Sequence, residues 1–185
     1  VHVRLHTGGE CGRDQWSPGA APVRRTAFLA ADPERERRMN PDDLPAPAEG
    51  LVLTHFFTVS DVPRSRAFYA DVLGGTVVLE ENPCIIKVAN GWIILNPGGG
   101  PTDDKPDVVL RPPDDPHTAS SFLNVRVADI HRFYDEAVAK GAEFLTPPID
   151  RCAELRCYLR DPDGYLIEVG QATGLLKGEL ARTDT

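Results

Sequence analysis

From Leu51 onward the chain alternates between two kinds of hydrophobic spacing. LVLTHFFTVS (51–60) is dense in β-branched and aromatic residues and predicts a strand. Ser60 or Asp61 can then cap a helix over 61–73, whose apolar face is Phe68, Tyr69, Val72 and Leu73 and whose end is Gly74-Gly75. Three strand-like runs follow: TVVLEE (76–81), CIIKVA (84–89) and WIILN (92–96), with Asn90-Gly91 as the turn between the last two. The order then repeats. SFLNVRV (121–127) predicts a strand, and 129–140 a helix with Ile130, Phe133, Tyr134, Ala137 and Val138 on one face, ended by Gly141. AEFLT (142–146), ELRCYLR (154–160) and YLIEVG (165–170) complete the set, the last two joined by DPDG.

The repetition extends to residues. VSDVPRSRAFYADVLGG from Val59 matches VADIHRFYDEAVAKGA from Val127, and NGWIILN from Asn90 matches DGYLIEV from Asp163. The pattern predicts an α+β fold of two βαβββ units, so each functional position has a counterpart for comparison. We expect a domain over 51–171, with units 51–96 and 121–171, a proline-rich acidic linker over 97–120 and a tail over 172–185. A linker of that length is often functional or mobile. Residues 1–48 have no sustained apolar period and read as a disordered arm, or as a misassigned start, because Met39 is the chain's only methionine.

Charge narrows the function. Net charge is −8, and residues 1–38 hold seven arginines against five acids, so the excess of acids lies in the folded part. An acidic domain argues against nucleic acid and anionic membranes as partners. With no membrane-length apolar run and no secretory pattern, the expected location is cytoplasmic. Cys11, Cys84, Cys152 and Cys157 form no close pair suited to zinc or redox chemistry; Cys84 and Cys157 read as buried hydrophobes. His2, His6 and Cys11 fall in the arm, where a metal-binding tail is the less economical reading.

VSDVPRSRAFYADVLGG, VADI with YDEAVAKGAEF, and above all RDPDGYLIEV (160–169) make residues 51–171 resemble the vicinal oxygen chelate superfamily. That group holds glyoxalase I, extradiol dioxygenases, fosfomycin-modifying enzymes and bleomycin-resistance proteins. The resemblance implies paired units curled into a cup, often as a homodimer. A divalent metal (Fe, Mn, Ni, Co or Zn) would sit on its floor, held by the first and last strands of each unit. Glu168 falls on the last-strand ligand position, as metal ligand and as candidate catalytic proton shuttle. Its counterpart by the sequence match is Leu95, and the first-strand positions fall on Thr54 and Phe122. None of those three is the expected ligand type.

His55 lies one residue from register. In a strand that places it on the opposite face, under the helix, unless a bulge near Phe56–Thr58 turns it into the cup beside Glu168. By parity Asn124, Arg126, Arg156 and Tyr158 share the Glu168 face, with Phe122, Glu154 and Arg160. Two arginines and a tyrosine there could hold a carboxylate-bearing or aromatic small molecule, or could form a solvated ion-paired edge. Trp92 and Tyr165 read as packing residues, His131 as solvent-facing, and His117 as solvent-facing or covering the cup mouth. Two functions stay open: a metal-dependent lyase, isomerase or dioxygenase acting on an oxygen-rich molecule, and a metal-free protein that binds or sequesters one.

Overall fold

The computed structural model describes residues 44–81 and 83–175. The expectations for most of the arm and tail, His2, His6 and Cys11 included, lie outside the described residues. The first unit is β1 (Thr54–Thr58), α1 (Val62–Asp71), β2 (Thr76–Leu79), β3 (Cys84–Val88) and β4 (Gly91–Asn96). The second is β5 (Leu123–Arg126), α2 (Ile130–Ala139), β6 (Glu143–Phe144), β7 (Ile149–Asp150), β8 (Glu154–Arg160) and β9 (Leu166–Ala172). Each unit forms one mixed sheet, in the orders β1-β4-β3-β2 and β5-β9-β8-β6, with β7 also on β8. This is the α+β, twice-βαβββ architecture expected from the pattern.

Local chemistry sets the boundaries. Asp61 caps α1 by accepting from the Arg64 amide at 2.9 Å, and Asp129 caps α2 by accepting from Arg132 N at 3.0 Å. Gly74 (φ 67°) and Gly141 (φ 87°) take the left-handed conformation just past the two helices. β1 starts at Thr54 rather than Leu51 because β4 turns away at Ala89-Asn90; Leu51 and Leu53 have no strand beside them and stay exposed. Val138, expected on the buried face of α2, is also exposed, whereas Ile130 and Ala137 are buried. The two-residue β7 follows Pro147-Pro148 and was not legible as a strand.

One apolar core serves both units. Phe57, Val59, Tyr69, Cys84, Ile86 and Leu95 of the first join Ile130, Cys157, Leu159, Ile167 and Val169 of the second. The two cysteines are fully buried, and burial raises each thiol to about 11, so they act as small hydrophobes.

The DPDG turn ties the units together. The Asp163 carboxylate accepts from Ser60 N (3.0 Å), Ser65 Oγ (3.0 Å) and Arg64 (3.0 Å), all at the start of α1. Asp161, buried, accepts from Tyr69 Oη of α1 at 2.8 Å and from the amides of Asp163 and Tyr165. Tyr165 donates to the Thr58 carbonyl at 3.0 Å. Burial pushes the Asp161 carboxyl up in spite of these donors, and burial followed by the Asp161 charge holds the Tyr69 phenol well above its usual value.

Strand register corrects one pairing of the repeats. Phe56 lies opposite Ile94, and its counterpart Asn124 lies opposite Glu168. The partner of Glu168 in the first unit is therefore Ile94 rather than Leu95, which corresponds to buried Val169. The turn explains the slip: Lys87 pairs with Trp92 across four residues, and Arg160 with Leu166 across five. An isoleucine offers no more to a metal than a leucine does.

Candidate functional site

Side chains alternate along β9. Ile167 and Val169 enter the core, so Glu168 emerges on the sheet face away from the helices. It is only 5% exposed. Asn124, beside it on β5, donates Nδ2 to Glu168 Oε1 at 2.5 Å, and Tyr158, beside it on β8, donates its hydroxyl to Oε2. Burial first, then the Glu168 carboxylate, raises the Tyr158 phenol, which therefore stays protonated as a donor.

A charge network continues along the face. Arg156 lies 3.7 Å from Glu168 and 3.2 Å from Glu154, and Arg126 bonds Glu154 at 2.6 Å. The arginines are the outer layer, with side chains 46% (Arg126) and 32% (Arg156) exposed, against 20% for Glu154 and 6% for Glu168. Arg126 can lie across β9 because residue 170 is glycine; a Cβ there would stand 2.2 Å from its Nη1. Phe122 meets Tyr158 edge-on at 6.2 Å, and the Arg156 guanidinium sits 5.8 Å from the Tyr158 ring centroid. Asn124, Arg126, Arg156, Tyr158 and Glu168 are thus brought together, with Glu154 and Gly170 as further members. Gly170 was missed because the lack of a side chain carries no signal until the arginine above it is seen.

His55 lies elsewhere. The β1–β4 register runs unbroken from Thr54–Trp92 to Thr58–Asn96, so no bulge turns it. Its ring lies 4.2 Å from that of Phe57, on the helix side of β1, and burial lowers its pKa. The structure does not bring His55 and Glu168 to one face.

Whether a divalent ion fits depends on the donors. Both Glu168 oxygens already accept protein hydrogen bonds, and the charged groups next to them are guanidiniums, which cannot ligate a cation. No group of three or more His, Cys, Asp or Glu positioned for a metal exists among the described residues. The residues present do not fit the expected metal.

Two sheets of this order, each crossed by one helix, with a polar cluster on the last strand, define a glyoxalase-like fold. Residues 52–169 match the Glyoxalase/Bleomycin resistance protein/Dioxygenase superfamily, and the chain belongs to it. It is 30% identical over 129 residues to the metallothiol transferase FosB of Shouchella clausii (strain KSM-K16), covering 68% of this chain and 81% of the relative. Two solved structures share the fold. A glyoxalase/bleomycin resistance protein/dioxygenase from Nocardioides has a TM-score of 0.55 and 19% identity, covering 74% of this chain and 93% of its own. TnmS3, an antibiotic binding protein from Streptomyces sp. CB03234, has a TM-score of 0.50 and 17% identity, covering 69% and 100%. No helix among the described residues is long and apolar enough to cross a membrane.

Proposed function

We propose that this protein binds a small, oxyanion-bearing aromatic molecule without a metal, on the open face of the second sheet. The observation that carries this reading is the environment of Glu168. Asn124 and Tyr158 occupy its oxygens and Arg156 balances its charge, which are the tasks a metal would otherwise perform. An approaching ligand meets the guanidiniums before the carboxylates, because Arg126 and Arg156 are the more exposed layer. A carboxylate suits their forked N–H donors, and an aromatic ring suits Phe122 and Tyr158. Binding exchanges the bond from Arg126 to Glu154 for one to the ligand, so affinity depends on holding Arg126 over Gly170.

We also read the protein as a cytoplasmic homodimer. β1 and β5 each form one edge of their sheet, and Phe56 (47%) in β1 and Phe122 (45%) just before β5 are exposed.

The test is elemental analysis of the purified full chain, together with titration of 4-hydroxybenzoate into wild type and Gly170→Ala. We expect no stoichiometric metal, saturable binding by wild type, and at least about tenfold weaker binding by Gly170→Ala with the melting temperature nearly unchanged. The FosB relative supports a second reading, metal-dependent transfer chemistry. Near-stoichiometric Fe, Mn, Ni, Co or Zn that disappears in Glu168→Gln would overturn the first reading and establish the metal site that the second requires.

A further inference from the structure

The linker expected to be mobile or functional is bonded to itself and packs against both units. Gly99 and Leu110 exchange backbone hydrogen bonds at 3.0 and 2.9 Å, closing the loop between them, and Lys105 Nζ reaches the Gly100 carbonyl at 2.7 Å. A Cβ on Gly98 would meet the Leu110 carbonyl oxygen at 2.5 Å and Thr58 Cγ2 at 2.6 Å, so the loop sits directly against the end of β1. Asp115 holds the next turn by accepting from His117 N and Thr118 Oγ1, both at 2.9 Å. Pro116 packs on the DPDG turn, 3.1 Å from where a Gly164 Cβ would be.

Between this segment and the start of β9 lies a cleft of about 400 Å³, lined by Arg111, Pro113, Asp114, Ser120, Ser121 and Leu166 among others. Its volume is in the range of small-molecule sites, roughly 300–1,000 Å³. Arg111 pairs with Asp114 at 2.7 Å, and the Asp115 oxygens already accept from their own turn, so the lining carries one cation and two carboxylates. What remains is a set of mixed donors and acceptors, the hydroxyls and the outer atoms of the ion pair, over the apolar floor of Pro113 and Leu166. A simple anion gains little there, because carboxylates outnumber guanidiniums in the lining. A hydroxylated ring, whose every OH both donates and accepts and whose C–H face is apolar, fits that set.

Leu166, Glu168 and Gly170 project from one face of β9. The cleft at Leu166 and the guanidinium over Gly170 are therefore about 13 Å apart, four residues of strand. We propose that the linker cleft is a second subsite, which takes a neutral, hydroxyl-rich ring such as a sugar or other cyclic polyol. The ligand is then an aromatic acid joined to a polyol, its acid end on Arg126 and Arg156 and its polyol end under the linker. This inference rests on the ligand reading of the Glu168 face for the acid end only; the cleft stands on its own geometry.

The test uses the ¹⁵N-labelled full chain and three probes: methyl β-glucopyranoside, 4-hydroxybenzoate, and 4-carboxyphenyl β-glucopyranoside, which joins the two. We expect the glucoside to shift amides within 111–121 and 164–166, and the benzoate to shift those around Arg126 and Arg156. The joined probe should shift both sets and bind at least about tenfold more tightly than either part, as linked fragments do. Ser121→Trp, an exposed position on the cleft wall, should abolish the glucoside shifts and leave those of benzoate intact. A glucoside that shifts no cleft amide, or that behaves identically in Ser121→Trp, overturns the second subsite. Benzoate binding without glucoside binding sinks this inference alone; glucoside binding without benzoate sinks the acid site and leaves the cleft standing.

Discussion

His55 shows how far one position in a strand can move a function. A histidine beside the family's ligand register invites a metal, yet an unbroken ladder puts it with Phe57 on the helix side. Its role there is visible through titration. Burial lowers its pKa below the ordinary 6.5, so the folded protein favours the neutral ring. The stabilisation from that preference is complete above the unfolded value and is lost as pH falls through 6.5 toward the lowered folded value. Thermal melts of wild type and His55→Leu between about pH 8 and about pH 5 should therefore diverge in acid, with wild type losing more. Parallel curves would mean that the ring is solvated in both states.

At the scale of elements, most of the fold was legible. The apolar periods placed both helices and eight of the nine strands, because each buries one regular face against the shared core. What was not legible depended on neighbours. Leu51 and Leu53 read as strand but have no adjacent strand, and Glu168 was matched to Leu95 because one extra turn residue moves the register without altering the glycine motif. The site was half legible: parity grouped Asn124, Arg126, Arg156 and Tyr158 with Glu168, but only the fold shows their bonds consuming the carboxylate. The DPDG turn is a cross-brace between units, and its central contact can be tested. Tyr69→Phe leaves a buried Asp161 oxygen without its donor and should cost about 1.5–3 kcal/mol in urea unfolding. Asp161→Asn, which can still accept from two amides and donate toward Tyr69, should cost less than Tyr69→Phe. The opposite ranking would assign the energy to charge rather than to the hydrogen bond.

For the whole molecule, the duplicated halves have diverged in chemistry. The open face of the first sheet carries Phe56, Ile94 and Ile85, whereas the second carries Asn124, Glu168 and Tyr158 at the same register positions. The apolar face of the first sheet, with Phe56 exposed on it, is the surface a second copy would bury. Sedimentation of the full chain should give a dimer, and Phe56→Glu with Phe122→Glu should give a monomer that melts cooperatively. A wild-type monomer would end the homodimer proposal.

The brace between the units also bears on how the chain is made. The donors at the start of α1 are synthesised roughly a hundred residues before the Asp163 that accepts from them, the separations being 103 for Ser60 and 98 for Ser65. At about 5–20 residues per second, α1 leaves the ribosome some 5–20 s ahead of the turn that completes its first bonds. During that interval the Tyr69 hydroxyl and the apolar face shared with the second unit have no partner. The nascent first half is thus a state a chaperone could hold, and the rate of translation from α1 to Asp163 sets how long it lasts.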